Sequence, residues 1–496
     1  MKEFIILSII LPFLCPIGIA QNIPYPNHTA YTENHIKPNN HTQSQLDSHT
    51  SSFYDNWKDT YLKNDCGSPN QYYIYSNNGS SGINVSEAQG YGMVITAFMA
   101  GFDNNAQTYF DGLFNFFKAH PSNINPNLMD WQQITCSDTP SPGDDSASDG
   151  DIDIAFGLLL ADAQWGSNGA INYLQEATTM INAIFADEIN QDNWSVKLGD
   201  WSNISGPNFY YSTRTSDFII DHFKAFGDIT GNPGWDKVVN TCYSLVQDIQ
   251  TNHSPVTGLL PDFIINVNTT PGPANPNLLE GGNDGDYYYN ACRTPWRLGV
   301  DYLVNGDPRA GTAIKNINSW LISTTSSQVG NISNGYKLNG TAIHTWNDPA
   351  FIGPFTVGAM ADPSQQEWLN NLYGELTGTP FSSNDGYYSN TLKMLSMITI
   401  SGNYWVPGHH NSLNPLEINE GSFRVIPNPA QDKIQITGLK MGDTIEIMDV
   451  SGKIYRTLNL PEGSATIEVP ELPTAMYFVK VTDPEGVVSV QKVIVE

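Results

Sequence analysis

The stretch SDGDIDIAFGLLLADAQW, residues 148–165, places Ile152, Ala155, Phe156, Leu159, Leu160 and Ala163 at i, i+3, i+4, i+7, i+8 and i+11, one unbroken apolar stripe along a helix. Ser148 stands where it can cap that helix, and acidic residues crowd its first turn, where the helix dipole favours them. The same period recurs near 52–64, 86–101, 104–119, 170–188, 214–228, 233–251, 288–303, 308–324, 353–361, 364–376 and 387–401, between loops rich in Gly, Asn, Asp and Pro. Twelve helices in six hairpins predict an all-α (α/α)6 barrel. Such a barrel gathers the loops at helix N-termini around one open face, where a cleft can form.

After about Tyr404 the pattern changes to a linker-like VPGHHNSLNPLEINEG and then to seven short alternating segments, from FRVIP to VVSVQKVIV. Turn chemistry at Asn428-Pro429, Ser451-Gly452 and Glu485-Gly486 separates them, which predicts a small all-β, immunoglobulin-like sandwich. At the other end, MKEFIILSIILPFLCPIGIAQN has one Lys, an apolar run and small residues before Gln21, the layout of a cleaved secretory signal. The expected organisation is therefore a signal peptide at 1–20, a barrel at 21–405, a linker at 406–422 and a sandwich at 423–496. No later apolar run approaches the ~20 residues needed to span a bilayer. The chain reads as exported, with no transmembrane segment.

Without Cys15 in the signal, Cys66, Cys136, Cys242 and Cys292 remain, an even number in an oxidising compartment. One or two disulfides and buried free thiols are both compatible with that count. No cysteine has zinc-site spacing, and DGDIDI lacks the glycine and distal Glu of an EF-hand loop, so neither a metal nor another cofactor is expected. The net charge of −28 excludes nucleic acid, which demands clustered Lys and Arg. That charge serves solubility, or it attracts a cationic substrate.

Three stretches could carry chemistry. In VSEAQGYGM, residues 85–93, Glu87 lies at a helix start with Gly90 and Gly92 just inside. Glu87 there is either a catalytic acid or a partner of the dipole behind a Ser86 cap. Asp149 and Asp151 at the start of 148–165 have the same two readings, and Asp153 reads as structural. YYYNACRTPWR, residues 287–297, holds aromatics and two arginines around an amide, Asn290.

In this order the three stretches resemble glycoside hydrolase family 8 over roughly residues 50–405. VSEAQGYGM resembles the family's SEGQGYGM-type motif around the general acid, and ASDGDIDIAFGLLLADAQW resembles its long A-S/T-D-G/A-D signature. The resemblance implies inverting hydrolysis of a glycosidic bond, with Glu87 as general acid and Asp149 at subsite −1. Many members carry an aspartate base in a Y-D-A-x-R-x-P-W motif, where this chain has Asn290. A branch including chitosanases and lichenases pairs Asn with a glutamate from the preceding insertion, which points to Glu280 in NVNTTPGPANPNLLEGGNDGDYYYN. Asp284 and Asp286 compete for that role, and a binding protein without a base is a further reading.

Arg293 and Arg297 are expected to pair with site carboxylates through their guanidinium forks and to bind substrate, with a structural ion pair as the other reading of Arg297. Trp131 matches a family subsite tryptophan that stacks on sugar faces, with Tyr91, Tyr288, Tyr210 and Tyr211 as weaker platforms. The branch and the negative charge point to chitosan as the polysaccharide substrate; β-glucan is the closest alternative and xylan a more distant one. The C-terminal segment resembles the type A sorting domain of the type IX secretion system: FRVIPNPAQDKIQI opens it and KVIVE closes it. Without Trp, it offers little to a carbohydrate-binding alternative. The resemblance implies passage through the type IX machinery, leaving the enzyme secreted or at the cell surface.

Overall fold

The computed structural model describes residues 21–76, 82–137 and 144–407 and most of 423–495. The expected signal peptide, most of the linker and the three turns named above lie outside the described residues. The chain divides into two compact units, Met1–Gly408 and His409–Glu496.

The first unit is built from α1 (Gln43–Tyr61), α2 (Ser86–Phe98), α3 (Ala106–Ala119), α4 (Ser148–Trp165), α5 (Tyr173–Asp187), the single turn α6 (Pro207–Tyr210), α7 (Ile220–Thr230), α8 (Gly234–Asn252), α9 (Thr294–Asn305), α10 (Pro308–Thr325), α11 (Pro349–Ala359), α12 (Gln366–Gly378) and α13 (Gly386–Ile400). An inner ring runs α2, α4, α7, α9, α11, α13, and α13 packs back onto α2. Outside it, α3, α5, α8, α10 and α12 each cover the inner helix that precedes them, while α1 covers α13. Five pairs are thus consecutive hairpins. The sixth joins the first helix to the last and closes the double ring of an (α/α)6 barrel.

Burial follows this layering. Every residue of α4 from Ser148 to Ala161 is buried, so the apolar stripe that predicts a one-sided helix belongs to a helix enclosed on all sides. Outer helices keep a wet face, as on α1, where Leu46, Thr50, Phe53, Tyr54, Trp57 and Tyr61 are the buried positions. That helix starts at Gln43 rather than near 52, because Thr42 and Gln45 form a reciprocal capping box. Ser148 is not a cap. It is the first helical residue of α4, and its hydroxyl donates to the Lys197 carbonyl at 2.8 Å.

Two inner helices begin later than the apolar period suggests. Residues 213–214 pair with 263–264 in a three-stranded ladder completed by 272–273, which delays α7 to Ile220. Residues 291–293 form a 3-10 turn, with Pro295 just inside the start of α9. Cys66 and Cys136 form a disulfide, whereas Cys242 and Cys292 are buried free thiols.

The second unit is a two-sheet sandwich. Strands 454–459, 444–449, 475–482 and 488–495 form one antiparallel sheet, and 463–468, 433–439 and 424–426 form the other. Alternate residues, among them Ile434, Ile436, Ile445, Ile447, Val479 and Val481, fill its core.

The N-terminal turns of α2 and α4 meet backbone to backbone. A Cβ on Gly150 would lie 2.3 Å from Ser86 Oγ and 2.7 Å from Glu87 N, and one on Gly90 would lie 2.8 Å from the Gly150 carbonyl oxygen. Glycine is required there because nothing larger fits between the helices. Gly150→Ala is expected to cost about 1–3 kcal/mol of stability, read from denaturant unfolding followed by tryptophan fluorescence. Gly169→Ala, in a loop with open space around it, should leave the midpoint unchanged.

Candidate active site

The inner helices present their N-terminal ends to one rim, and the chemistry-bearing residues sit there. Glu87 is the second residue of α2 and Asp149 the second of α4. Arg214 and Asp217 precede α7, Asn290 and Arg293 precede α9, Asp348 caps α11, and Tyr387 opens α13. A cavity of about 760 Å³ on this rim is lined by Glu87, Trp131, Asp149, Arg214, Glu280, Asn290, Arg293 and Tyr387, among others.

Arg293, almost fully buried, organises its floor. Its Nη1 donates to Glu87 Oε2 at 2.7 Å, to Asp149 Oδ2 at 2.9 Å and to the Tyr91 hydroxyl at 3.2 Å. Its Nη2 donates to Asn290 Oδ1 at 2.8 Å. With its oxygen held in this way, Asn290 turns its Nδ2 outward and donates to Glu280 Oε2 at 2.7 Å. An aspartate in place of Asn290 would set a second negative charge against Glu280 and remove that donor. Arg214 completes the circuit, with Nη2 donating to Glu280 Oε1 at 2.9 Å and Nη1 lying 3.7 Å from both Asp149 and Asp217.

These groups are in different protonation regimes. Burial, reinforced by the Asp149 charge, pushes the Glu87 carboxyl up to about 7 against the pull of Arg293 and Arg214. Burial acts on Asp149 as well, but Arg214, Arg293 and hydrogen bonds from Arg293 and the Gly150 N–H outweigh it and hold that carboxyl below its usual range. The site therefore pairs one carboxyl that keeps its proton near neutrality with one that stays charged. Glu280 differs in access, its side chain remaining 46% exposed.

The loop that delivers Glu280 is folded by the acids that compete with it in sequence. Asp284 is buried and accepts from the backbone N–H groups of Leu279, Glu280 and Gly281 at 2.8, 3.1 and 2.8 Å. Asp286 does not line the cavity; its backbone carbonyl accepts from Asp262 N. Asp262, buried one strand away, accepts from the N–H groups of Tyr288 and Ala291 at 2.9 and 2.7 Å and pins the turn bearing Asn290. Glu280 is the residue of this loop's acids that reaches the cavity.

Trp131 lines the cavity with 39% of its surface exposed, tied down where its carbonyl accepts from Ser86 N at 2.9 Å. Several expected contacts are not made there. Arg297 does not line the cavity, as the structural ion-pair reading expects: it is buried on the Asp153 carboxylate at 2.5 Å and lies over the Trp296 ring, one turn below the rim. Asp153 is structural, bound also by His222. Tyr91 is fully buried beneath Arg293 and offers no face to a sugar. Tyr288 points its hydroxyl to His344 at 3.2 Å, and its neighbour Tyr289 lines the cavity instead. Tyr210 and Tyr211 lie away from it, with their hydroxyls toward Asp192.

Arg214, Asp262, Tyr289 and Tyr387 were not singled out by sequence. A signal exists for Arg214, the one Lys or Arg between Lys197 and Lys224 in a chain with 22 Lys and Arg against 50 Asp and Glu. Asp262 carries no such mark, because its role depends on a strand pairing.

Residues 37–402 match the family model for glycosyl hydrolases family 8, and residues 424–496 match that for a secretion system C-terminal sorting domain. A beta-glucanase of Niallia circulans is 47% identical over 386 residues, covering 78% of this chain and 92% of its own. An endoglucanase of Bacillus sp. strain KSM-330 is 38% identical over 393 residues, covering 77% and 82%. Among solved structures, the apo β-1,3-1,4-glucanase of Paenibacillus sp. X4 superposes with a TM-score of 0.74 at 46% identity, covering 78% of this chain and 99% of that one. These relatives are glucanases, which removes support from chitosan as the expected substrate. The chain belongs to glycosyl hydrolase family 8 and carries a C-terminal secretion sorting domain behind its barrel.

Proposed function

We propose that the barrel is an endo-β-glucanase acting on mixed-linkage β-1,3-1,4-glucan with inversion, Glu87 serving as general acid and Glu280 as general base. The observation that carries this reading is the Glu280 carboxylate, held by Arg214 and the Asn290 amide in the same cavity as Glu87, whose carboxyl Arg293 and Tyr387 contact. Inversion needs an acid on the leaving oxygen and a base that activates water on the opposite sugar face, with room for that water between base and sugar. Glu87, pushed up to about 7, carries the proton to be donated. Glu280, half exposed on its loop, has access to the water, and its two donors leave oxygen lone pairs free to draw off a proton. Asp149 stays anionic at subsite −1, where positive charge develops on the sugar ring.

Glucan is favoured over chitosan by the charge arrangement. The carboxylates of Glu87, Asp149 and Glu280 are all engaged by Arg293 or Arg214, so a glucosamine ammonium on the floor would meet guanidinium N–H groups as well as acids already committed. A neutral glucose unit needs only hydrogen bonds. The net charge of −28 then acts on solubility rather than on substrate choice. The N-terminal signal and the sorting domain imply export by the type IX route to the cell surface or medium, with removal of both segments.

Reducing-end release from mixed-linkage β-glucan and from deacetylated chitosan, measured side by side, tests the substrate. Glucan should be cleaved at least about tenfold faster, and preference for chitosan would overturn the assignment. Glu87→Gln and Glu280→Gln are each expected to lower kcat by about 10²–10⁴-fold without loss of fold; a Glu280→Gln enzyme with full activity would move the base elsewhere. Because Glu87 must be protonated to act, kcat/KM should fall as pH rises through about 7. Tyr387 donates to Glu87 Oε1 at 3.3 Å and stabilises the carboxylate, so Tyr387→Phe should shift this falling limb to higher pH.

A further inference from the structure

We propose that Trp346 is a second sugar platform, set at the end of the cleft opposite Trp131; this rests on the glycan-cleaving reading above. In the inner ring α2, α4, α7, α9, α11, α13, the helix opposite α4 is α11. Trp131 is held between the starts of α2 and α4, its carbonyl accepting from Ser86 N and its N–H donating to the Asp145 carbonyl, and Trp346 lies two residues before Asp348, which caps α11 and lines the cavity.

Trp346 is built as a platform. It is 56% exposed, while its inner side stacks on His344 with centroids 4.5 Å apart and planes at 29°. His344 is in turn held by the Tyr288 hydroxyl at 3.2 Å. The indole edge is fixed as well: in the amide orientation that satisfies its neighbours, Asn334 Oδ1 accepts from Trp346 Nε1 at 3.0 Å and from the Tyr289 hydroxyl at 2.8 Å. Tyr289 lines the cavity, so Trp346 is joined to the cleft through one amide. A large apolar ring kept in water by a stack and a hydrogen bond loses little freedom on binding, and the apolar face of a pyranose fits it. Its distance from the reacting residues makes it a determinant of chain length rather than of chemistry.

The test is fluorescence titration of the full chain carrying Glu87→Gln, with and without Trp346→Ala, using mixed-linkage glucan and chitosan oligosaccharides of three and six units. Trp346→Ala should weaken hexamer binding about tenfold and leave the trimer unchanged, and Trp346→Phe should restore most of the loss. In the otherwise unmodified enzyme the same substitution should raise KM for polymer with kcat retained. A loss confined to the chitosan hexamer would keep the platform and overturn the glucan assignment. Equal loss for trimer and hexamer, no loss for either, or no binding of any oligosaccharide would overturn the platform.

Discussion

Everything at the rim is arranged around one buried guanidinium. Arg293 binds a carboxylate from α2, a carboxylate from α4 and the amide of its own turn, and so holds three inner helices at one spacing. A buried cation is costly unless each of its donors is met, and breaking a buried pair by removing one partner costs about 3–5 kcal/mol. The arginine therefore constrains its neighbours as strongly as they constrain it. The glycine contact between α2 and α4 is the steric counterpart, since it lets Glu87 and Asp149 approach closely enough to share a single nitrogen.

A second buried network lies one turn deeper and separates support from chemistry. Arg297 pairs with Asp153, His222 bridges Asp153 and Asp221 at 3.0 and 2.9 Å, and the Tyr404 hydroxyl donates to Asp221. Those contacts tie α4, α7, α9 and the last residues of the barrel together. Here an imidazole lies between two carboxylates: burial opposes its charge, but Asp221 and Asp153 outweigh that and raise His222 above its ordinary range. Together with Arg297 it gives the two buried acids the donors they need in the core.

Placement on helix or loop suits each carboxyl to its role. For the proposed general acid Glu87, the inner-helix position supplies the desolvation that raises its carboxyl, despite the opposing dipole of its own helix. For the proposed base Glu280, a loop position leaves the side chain 46% exposed and open to water. The backbone of that loop is clamped by Asp284, so an exposed segment still aims its carboxylate at a fixed point.

Local periodicity and motif residues sufficed to read the ring of helices, the sandwich strands and the placement of Glu87 and Asp149 at helix starts, because helix faces, alternating strands and helix starts are properties of a few neighbouring residues. Other features emerged only when distant segments met. Arg214 enters the site because residues 213–214 pair with 263–264, and Asp262 pins Asn290 from across the same ladder. Tyr91 and Arg297 looked like cleft residues because they sit in the right motifs, yet the rotation of α2 and α9 sends both side chains inward. Which of Glu280, Asp284 and Asp286 reaches the cavity could not be read from their spacing either, since one clamps the loop by accepting its N–H groups. The reason is common to all of these cases: a side chain's direction and partners are set by the packing of elements far apart in sequence, a property no local window contains.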